Sequence, residues 1–183
     1  MKNIQNNPSV TIGIFLLVFL VVGYHYVITP LLQSEKGTHE SIKCRENLRL
    51  LSLALLEYSE NSDDKFPPAN HWIDCIDNNK YLPNVDRAAV FHCPAAEGSY
   101  GYAMNKSVGS VSLMTFNLQD TVLLFETDSE NRNANGSLKD LALKRHHTLN
   151  CSFCAGEVHW VNPYTKIIWV WTVTNVNTRE QRK

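Results

Sequence analysis

RHHTLNCSFCAGEVHW, residues 145–160, sets three histidines, two cysteines and a glutamate in one short stretch. Two readings compete for it. As a metal site, Cys151 and Cys154 have the spacing of half a zinc knuckle, with His146, His147, His159 or Cys93 to complete four tetrahedral ligands. As backbone, Cys151–Ala155 and Glu157–Asn162 are two strands turning at Ala155-Gly156, and period-two alternation then sends Cys151 and Cys154 to opposite faces. A specific zinc signature carries a second Cys-x-x-Cys or a His-x-x-x-His at a matching distance, and the chain has neither. The hairpin is therefore the leading reading, with zinc at Cys151, Cys154, His146 and His159 kept as the alternative. A redox-active Cys-x-x-Cys sits at a helix start in a βαβ setting, whereas this pair sits among strands.

Working outward, Lys166–Thr174 reads as a further strand, reached through a turn at Asn162-Pro163-Tyr164. Trp169 and Trp171 share one face of it, as packing residues or as a platform for sugars or peptides. Upstream, Thr121–Glu126 (TVLLFE) is the clearest central strand, and Glu126 at its end suits a hydrogen-bonded edge residue or an ion-pair partner better than a general base. Residues 128–137, DSENRNANGS, form a polar loop long enough to be mobile. Ser99–Ala103 alternates as a strand, Val90–Pro94 is a brief extended piece, and the Pro- and Asn-rich middle holds one short helix around His71–Asn78. Before it, Cys44, Leu48, Leu51, Leu55 and Tyr58 recur at spacings of four and three, one face of an α-helix. Thr38 or Ser41 caps its start, and Asn61–Asp64 followed by Pro67-Pro68 ends it. Helix first and strands last argue an α+β fold with the helix laid across an antiparallel sheet.

The first thirty residues are different in kind. From Val10 to Ile28 the chain is almost wholly apolar, and at about 1.5 Å per residue the run makes a helix of roughly 28 Å, close to the hydrocarbon thickness of a bilayer. Tyr24 and Tyr26 fit an interfacial belt, and Pro30 ends or kinks the helix. A cleaved secretory signal is the competing reading. The amphipathic helix is either separate or a continuation bent at Pro30 and Gly37, a hydrophobic stem carrying a globular head. The expected organisation is a tail over 1–9, a transmembrane helix over 10–29, a joint and amphipathic helix over 30–61, a head over 62–178 and a polar tail over 179–183. Lys2 on one side, against Lys36, Lys43 and Arg45 on the other, leaves the positive-inside rule undecided, while five cysteines favour the oxidising side.

Seventeen basic against eighteen acidic residues give a net charge of -1, so the totals carry no electrostatic footprint for nucleic acid. Without a nucleophile elbow or a glycine-rich phosphate loop, no enzymatic activity is expected.

The ordered pieces CRENLRLLSLALLEYSENSDDKFPP, FHCPA, YGYAMN, TVLLFE and RHHTLNCSFCAGEVHWVN, across roughly residues 40–162, resemble bacterial pseudopilin-related proteins with a prepilin-type amino terminus. Those proteins also carry a carboxy-terminal domain marked by His, nine residues and Asp-Gly. Arg145, His146, Asn150, Phe153 and Gly156 fall on that motif; Ala155 and Glu157 replace its Asp and its following His. The resemblance implies a pilin-like fold and a single-pass protein of the cytoplasmic membrane with its domain outside the cytoplasm. It also implies a structural or assembly role beside type II secretion or type IV pilus-like subunits, no cofactor, and a disulfide between Cys44 and Cys93. A prepilin peptidase site has a glutamate in the first turn of the membrane helix; MKNIQNNPSVTIGIF has none, so an uncleaved anchor is expected.

Overall fold

The computed structural model describes residues 8–98, 100–143, 145, 149–161 and 170–171. The chain divides into two compact units, residues 1–38 and 39–183.

In the first unit, helix α1 (Pro8–Gly23) leads into a π-helical turn (Tyr24–Ile28), and α2 (Thr29–Glu60) begins directly after it. Proline explains the turn. Pro30 has no N–H to return to the ladder, so the register slips: the Thr29 N–H bonds the Tyr24 carbonyl, five residues back, and the Thr29 hydroxyl donates to the carbonyl of His25. Helical structure thus continues through Pro30 and Gly37. Thr38 and Ser41, expected as caps, lie inside α2 because no helix starts there. Large apolar side chains from Ile12 to Ile28 are exposed, and this stretch is long and apolar enough to cross a membrane.

In the second unit, Cys44, Leu48, Leu51 and Leu55 of α2 are fully buried on one face, with Tyr58 half-buried at its end. The helix stops at Glu60, after which Asp63 and Asp64 take left-handed conformations (φ 53° and 54°) that no helix continues through.

The fold is α+β. Five strands, β1 (Tyr102–Asn105), β2 (Val122–Glu126), β3 (Asn135–Gly136), β4 (Leu149–Phe153) and β5 (Val158–Val161), form one sheet in the order β3-β1-β2-β4-β5. The β1–β2, β2–β4 and β4–β5 pairs are antiparallel, but β1–β3 is parallel, so the sheet is mixed rather than purely antiparallel. The cause lies in residues 128–137, which are not a loose loop. Arg132 bonds Asp74 and Asp77, and the Asn133 side chain accepts the backbone N–H groups of Ile73 and Asp74 at the start of α3 (Trp72–Ile76). Thus anchored, the segment runs alongside β1, where Met104 and Lys106 donate to the carbonyls of Ala134 and Gly136.

Other expectations shift locally. The brief extended piece expected at 90–94 does not form: the Asp86 carboxylate caps the Ala89 N–H of a helical turn, α4 (Arg87–Val90), Phe91 keeps helical dihedrals (φ -82°, ψ -11°), and bends and a turn follow. The strand expected over 99–103 falls at 102–105. The β4–β5 hairpin turns at Ala155-Gly156 as expected; Gly156 has φ +88°, and a Cβ there would meet Leu56 at 2.9 Å. Residues 166–169 and 172–174 lie outside the described residues, and Val170 forms a parallel bridge to Thr121. Two apolar clusters result. One joins α2 to the sheet through Leu48, Leu51, Leu55, Trp72 and Met104; the other gathers Val122, Phe125, Leu149, Cys151 and Phe153, with Trp171 edge-on to Phe125 at 5.2 Å. Trp171 is thus a packing residue, while Trp169 lies outside the described residues.

Candidate functional site

Short motifs far apart in the sequence meet in one buried polar network against α2. Its covalent element is the Cys44–Cys93 disulfide, which spans 49 positions with the Cα atoms 5.3 Å apart and both residues fully buried. Helical periodicity puts Ser41, Cys44, Asn47 and Leu48 on one face. From that face the Asn47 amide donates to the carbonyls of Ala89 (3.1 Å) and His92 (3.0 Å), fastening the chain just before Cys93. The same amide reaches the Tyr102 hydroxyl (3.4 Å), which itself points to the Cys44 carbonyl (3.5 Å). Burial, with a smaller contribution from the Glu126 carboxylate, pushes the Tyr102 phenol far above its ordinary range, so it stays protonated and able to donate.

On the sheet, Tyr102 of β1 stands opposite Glu126 of β2. Glu126 is fully buried, and its two oxygens accept the Asn150 backbone N–H (2.9 Å) and the Asn150 amide (3.1 Å). The hydrogen-bonded role expected of it holds, but β2 is an interior strand. The Asn150 amide also reaches the Ser41 hydroxyl (3.2 Å), tying β4 to α2. Arg145, with only 7 % of its side chain exposed, donates to the carbonyls of Gly101 (3.1 Å) and Thr127 and pairs with the Asp128 carboxylate (2.9 Å). Gly101 has to be glycine: a Cβ there would lie 2.7 Å from the Cys93 Cβ and 3.0 Å from its backbone nitrogen.

The residues of the opening stretch go different ways. Arg145 and Asn150 join the network, Phe153 packs beside Cys151, and Gly156 makes the hairpin turn. Cys151 lies in the far cluster and Cys154 in the helix-side cluster, both as free thiols, and burial raises the pKa of each. His159 is exposed, 3.2 Å from Glu157 and edge-on to Phe153. His146 and His147 lie outside the described residues. Among the described residues, the only group of three ligand-type side chains with converging atoms is Cys44, Cys93 and Glu126, within 4.8 Å of one another.

Sequence reasoning missed the parts played by Asn47, Gly101, Tyr102 and Ser41. They sit in or beside the motif pieces, yet hydrophobic period does not mark them. It also missed a surface ion-pair cluster in which Arg132 bonds Asp74 (2.6 Å), Asp77 (2.9 Å) and the Tyr100 hydroxyl (3.2 Å). An open groove of about 830 Å³ beside it is lined by Arg87, Phe91, His92 and Glu130, among others.

Chemically the network is a fastening. Its centre is buried and its edge at Asp128 is exposed, and among the described residues the one buried side-chain polar atom without a hydrogen-bond partner, the Thr121 hydroxyl, lies outside it. Compared with known protein families, with characterised proteins and with solved structures, the chain matches none.

Proposed function

We propose that this protein is a membrane-anchored, pilin-like structural or assembly subunit, working beside a type II secretion or type IV pilus-like system. One observation carries the reading. An exposed apolar stretch long enough to cross a membrane leads into α2, and in the second unit the buried face of α2 is fastened to the segment at Cys93 by a disulfide and to the sheet by hydrogen bonds to Tyr102 and Asn150. The disulfide supports placement of the domain on the oxidising side of the cytoplasmic membrane. The partners are then the bilayer and other pilin-like or secretion subunits, met through the apolar helix.

A photo-crosslinking side chain at Leu16 or Phe19, in cells, tests this. Adducts to another single-pass pilin-like subunit, or to a second copy of this chain, are the expected outcome; adducts to lipid alone leave a plain anchor and sink the assembly role. Intact mass of the membrane-extracted chain, taken without reductant, reports on the anchor. The expected mass retains the amino terminus and lacks two hydrogens for one disulfide.

A further inference from the structure

We infer that Cys44, Cys93 and Glu126 form a latent site for a thiophilic divalent cation such as zinc, closed while the disulfide stands and opened by its reduction. The two sulfurs and a carboxylate oxygen lie within 4.8 Å of one another, and all three residues are fully buried. Tetrahedral zinc, with Zn–S of about 2.3 Å and Zn–O of about 2.0–2.2 Å, holds its ligand atoms roughly 3.5–4 Å apart. Once the S–S bond is gone, rotation about the Cα–Cβ bonds is the motion that would bring the sulfurs to that separation. Two thiolates and one carboxylate select zinc over magnesium or calcium.

The surroundings suit a bound cation. Metal-binding carboxylates are oriented by donors behind them, and Asn150 supplies one to each oxygen of Glu126. Two thiolates and a carboxylate around a divalent ion leave one negative charge. The buried Arg145 guanidinium stands across Gly101 from Cys93: a Cβ at Gly101 would lie 2.7 Å from the Cys93 Cβ and 3.2 Å from Arg145 Nη1. The pair suggested by spacing, Cys151 and Cys154, has no such arrangement, since each belongs to a different cluster.

The chemistry balances in two steps. A phosphine and one water reduce the disulfide, giving phosphine oxide and two thiols; the thiols then bind the cation and release two protons to solvent. A phosphine is the reductant of choice because dithiols chelate zinc themselves.

The test uses the full-length chain in detergent micelles, reduced with a phosphine and titrated with cobalt(II) and then zinc. The expected result is one equivalent of cobalt with a thiolate-to-cobalt charge-transfer band, displaced by zinc, and no uptake by the unreduced chain. Glu126→Gln weakens binding at least about tenfold, Glu126→Asp less, and Cys44→Ser with Cys93→Ser abolishes it. Cys151→Ala with Cys154→Ala leaves it unchanged. The inference is overturned if the reduced chain takes up no metal or loses its circular dichroism on reduction. It is equally overturned if uptake survives Cys44→Ser with Cys93→Ser, or disappears in the Cys151→Ala, Cys154→Ala chain.

Discussion

Two cysteine pairs in this molecule invert what their spacing advertises. Cys151 and Cys154 are three residues apart and face different apolar clusters; Cys44 and Cys93 are 49 apart and share a bond. Cys151 is on β4 and Cys154 is the first residue of the turn after it, and their odd separation sends the two side chains to opposite sides of the sheet, so nearness in sequence works against their meeting. Between a helix and a distant loop, the surrounding hydrogen bonds set the distance. Asn47, one turn along α2 from Cys44, holds the carbonyls of Ala89 and His92, and Cys93 follows directly.

The comparison breaks most readily at the disulfide. Closing a loop of about 50 residues removes denatured-state entropy worth roughly 4 kcal/mol. Cys44→Ala and Cys93→Ala should therefore each lower the unfolding free energy by about that amount, with the double variant hardly worse than either single one. Urea unfolding of the four chains, without reductant, measures the coupling. Additive losses would mean that the pair is not bonded in the folded protein. Gly101→Ala strikes the same place from the sheet side: its methyl group would press on Cys93, whose position is fixed by both the disulfide and Asn47. The expected cost is about 2 kcal/mol, within the range for overpacking, and it should shrink in a Cys93→Ala background, where the obstructing Cβ and nitrogen remain but the disulfide no longer holds them in place.

Cys151 and Cys154 supply the opposite arm. Replacing either by alanine removes one buried sulfur, at a cost of about 1 kcal/mol. Because the two sit in separate clusters, the double variant should lose the sum. A coupling above about 0.5 kcal/mol in this second cycle would show that they share an environment after all. Thiol alkylation of the native, unreduced protein sharpens the same contrast. Burial raises the pKa of both thiols, whereas Cys75 is partly exposed. Cys75 should be modified first, and the other two at least about a hundredfold more slowly, as read by peptide mass mapping.

How much of this was legible follows the same physics. The buried face of α2 could be read from Cys44, Leu48, Leu51 and Leu55, because helical period maps directly onto burial. TVLLFE and the turn at Ala155-Gly156 were legible as strand and hairpin for the analogous reason. β3 was not. Asn135 and Gly136 have poor strand propensity, and they pair with β1 only because Arg132 and Asn133 grip Asp74 and the start of α3 from nearly sixty positions away. In the site, Arg145 and Asn150 stood out through a resemblance of motifs, whereas Asn47 and Tyr102 are single polar contacts across the fold that leave no periodic trace. Glu126 was read as hydrogen-bonded, but its burial depends on strand order, which local sequence does not encode.

That tie between residues 128–137 and α3 gives the smallest effect and a clear sign. The hydrogen bond from Arg132, then that from Asn133, holds the Asp74 carboxyl below its ordinary value of 3.8, against a modest opposing effect of burial. A carboxylate whose pKa is lowered by folding adds stability that is present above the unfolded value and is lost as pH falls through the folded one. Asp74 and Arg132 are 46 % and 39 % exposed, so solvent and salt screen the pair and its contribution stays below about 1 kcal/mol. Asp74→Asn should therefore be less stable than the parent near neutral pH, with the gap closing as pH falls through the ordinary carboxylate value and below it, and shrinking at any pH in molar salt. Urea midpoints of the two chains across that fall in pH measure it. A gap that ignores both acid and salt would assign the hold on β3 to the Asn133 amide and its backbone partners instead of to the ion pair.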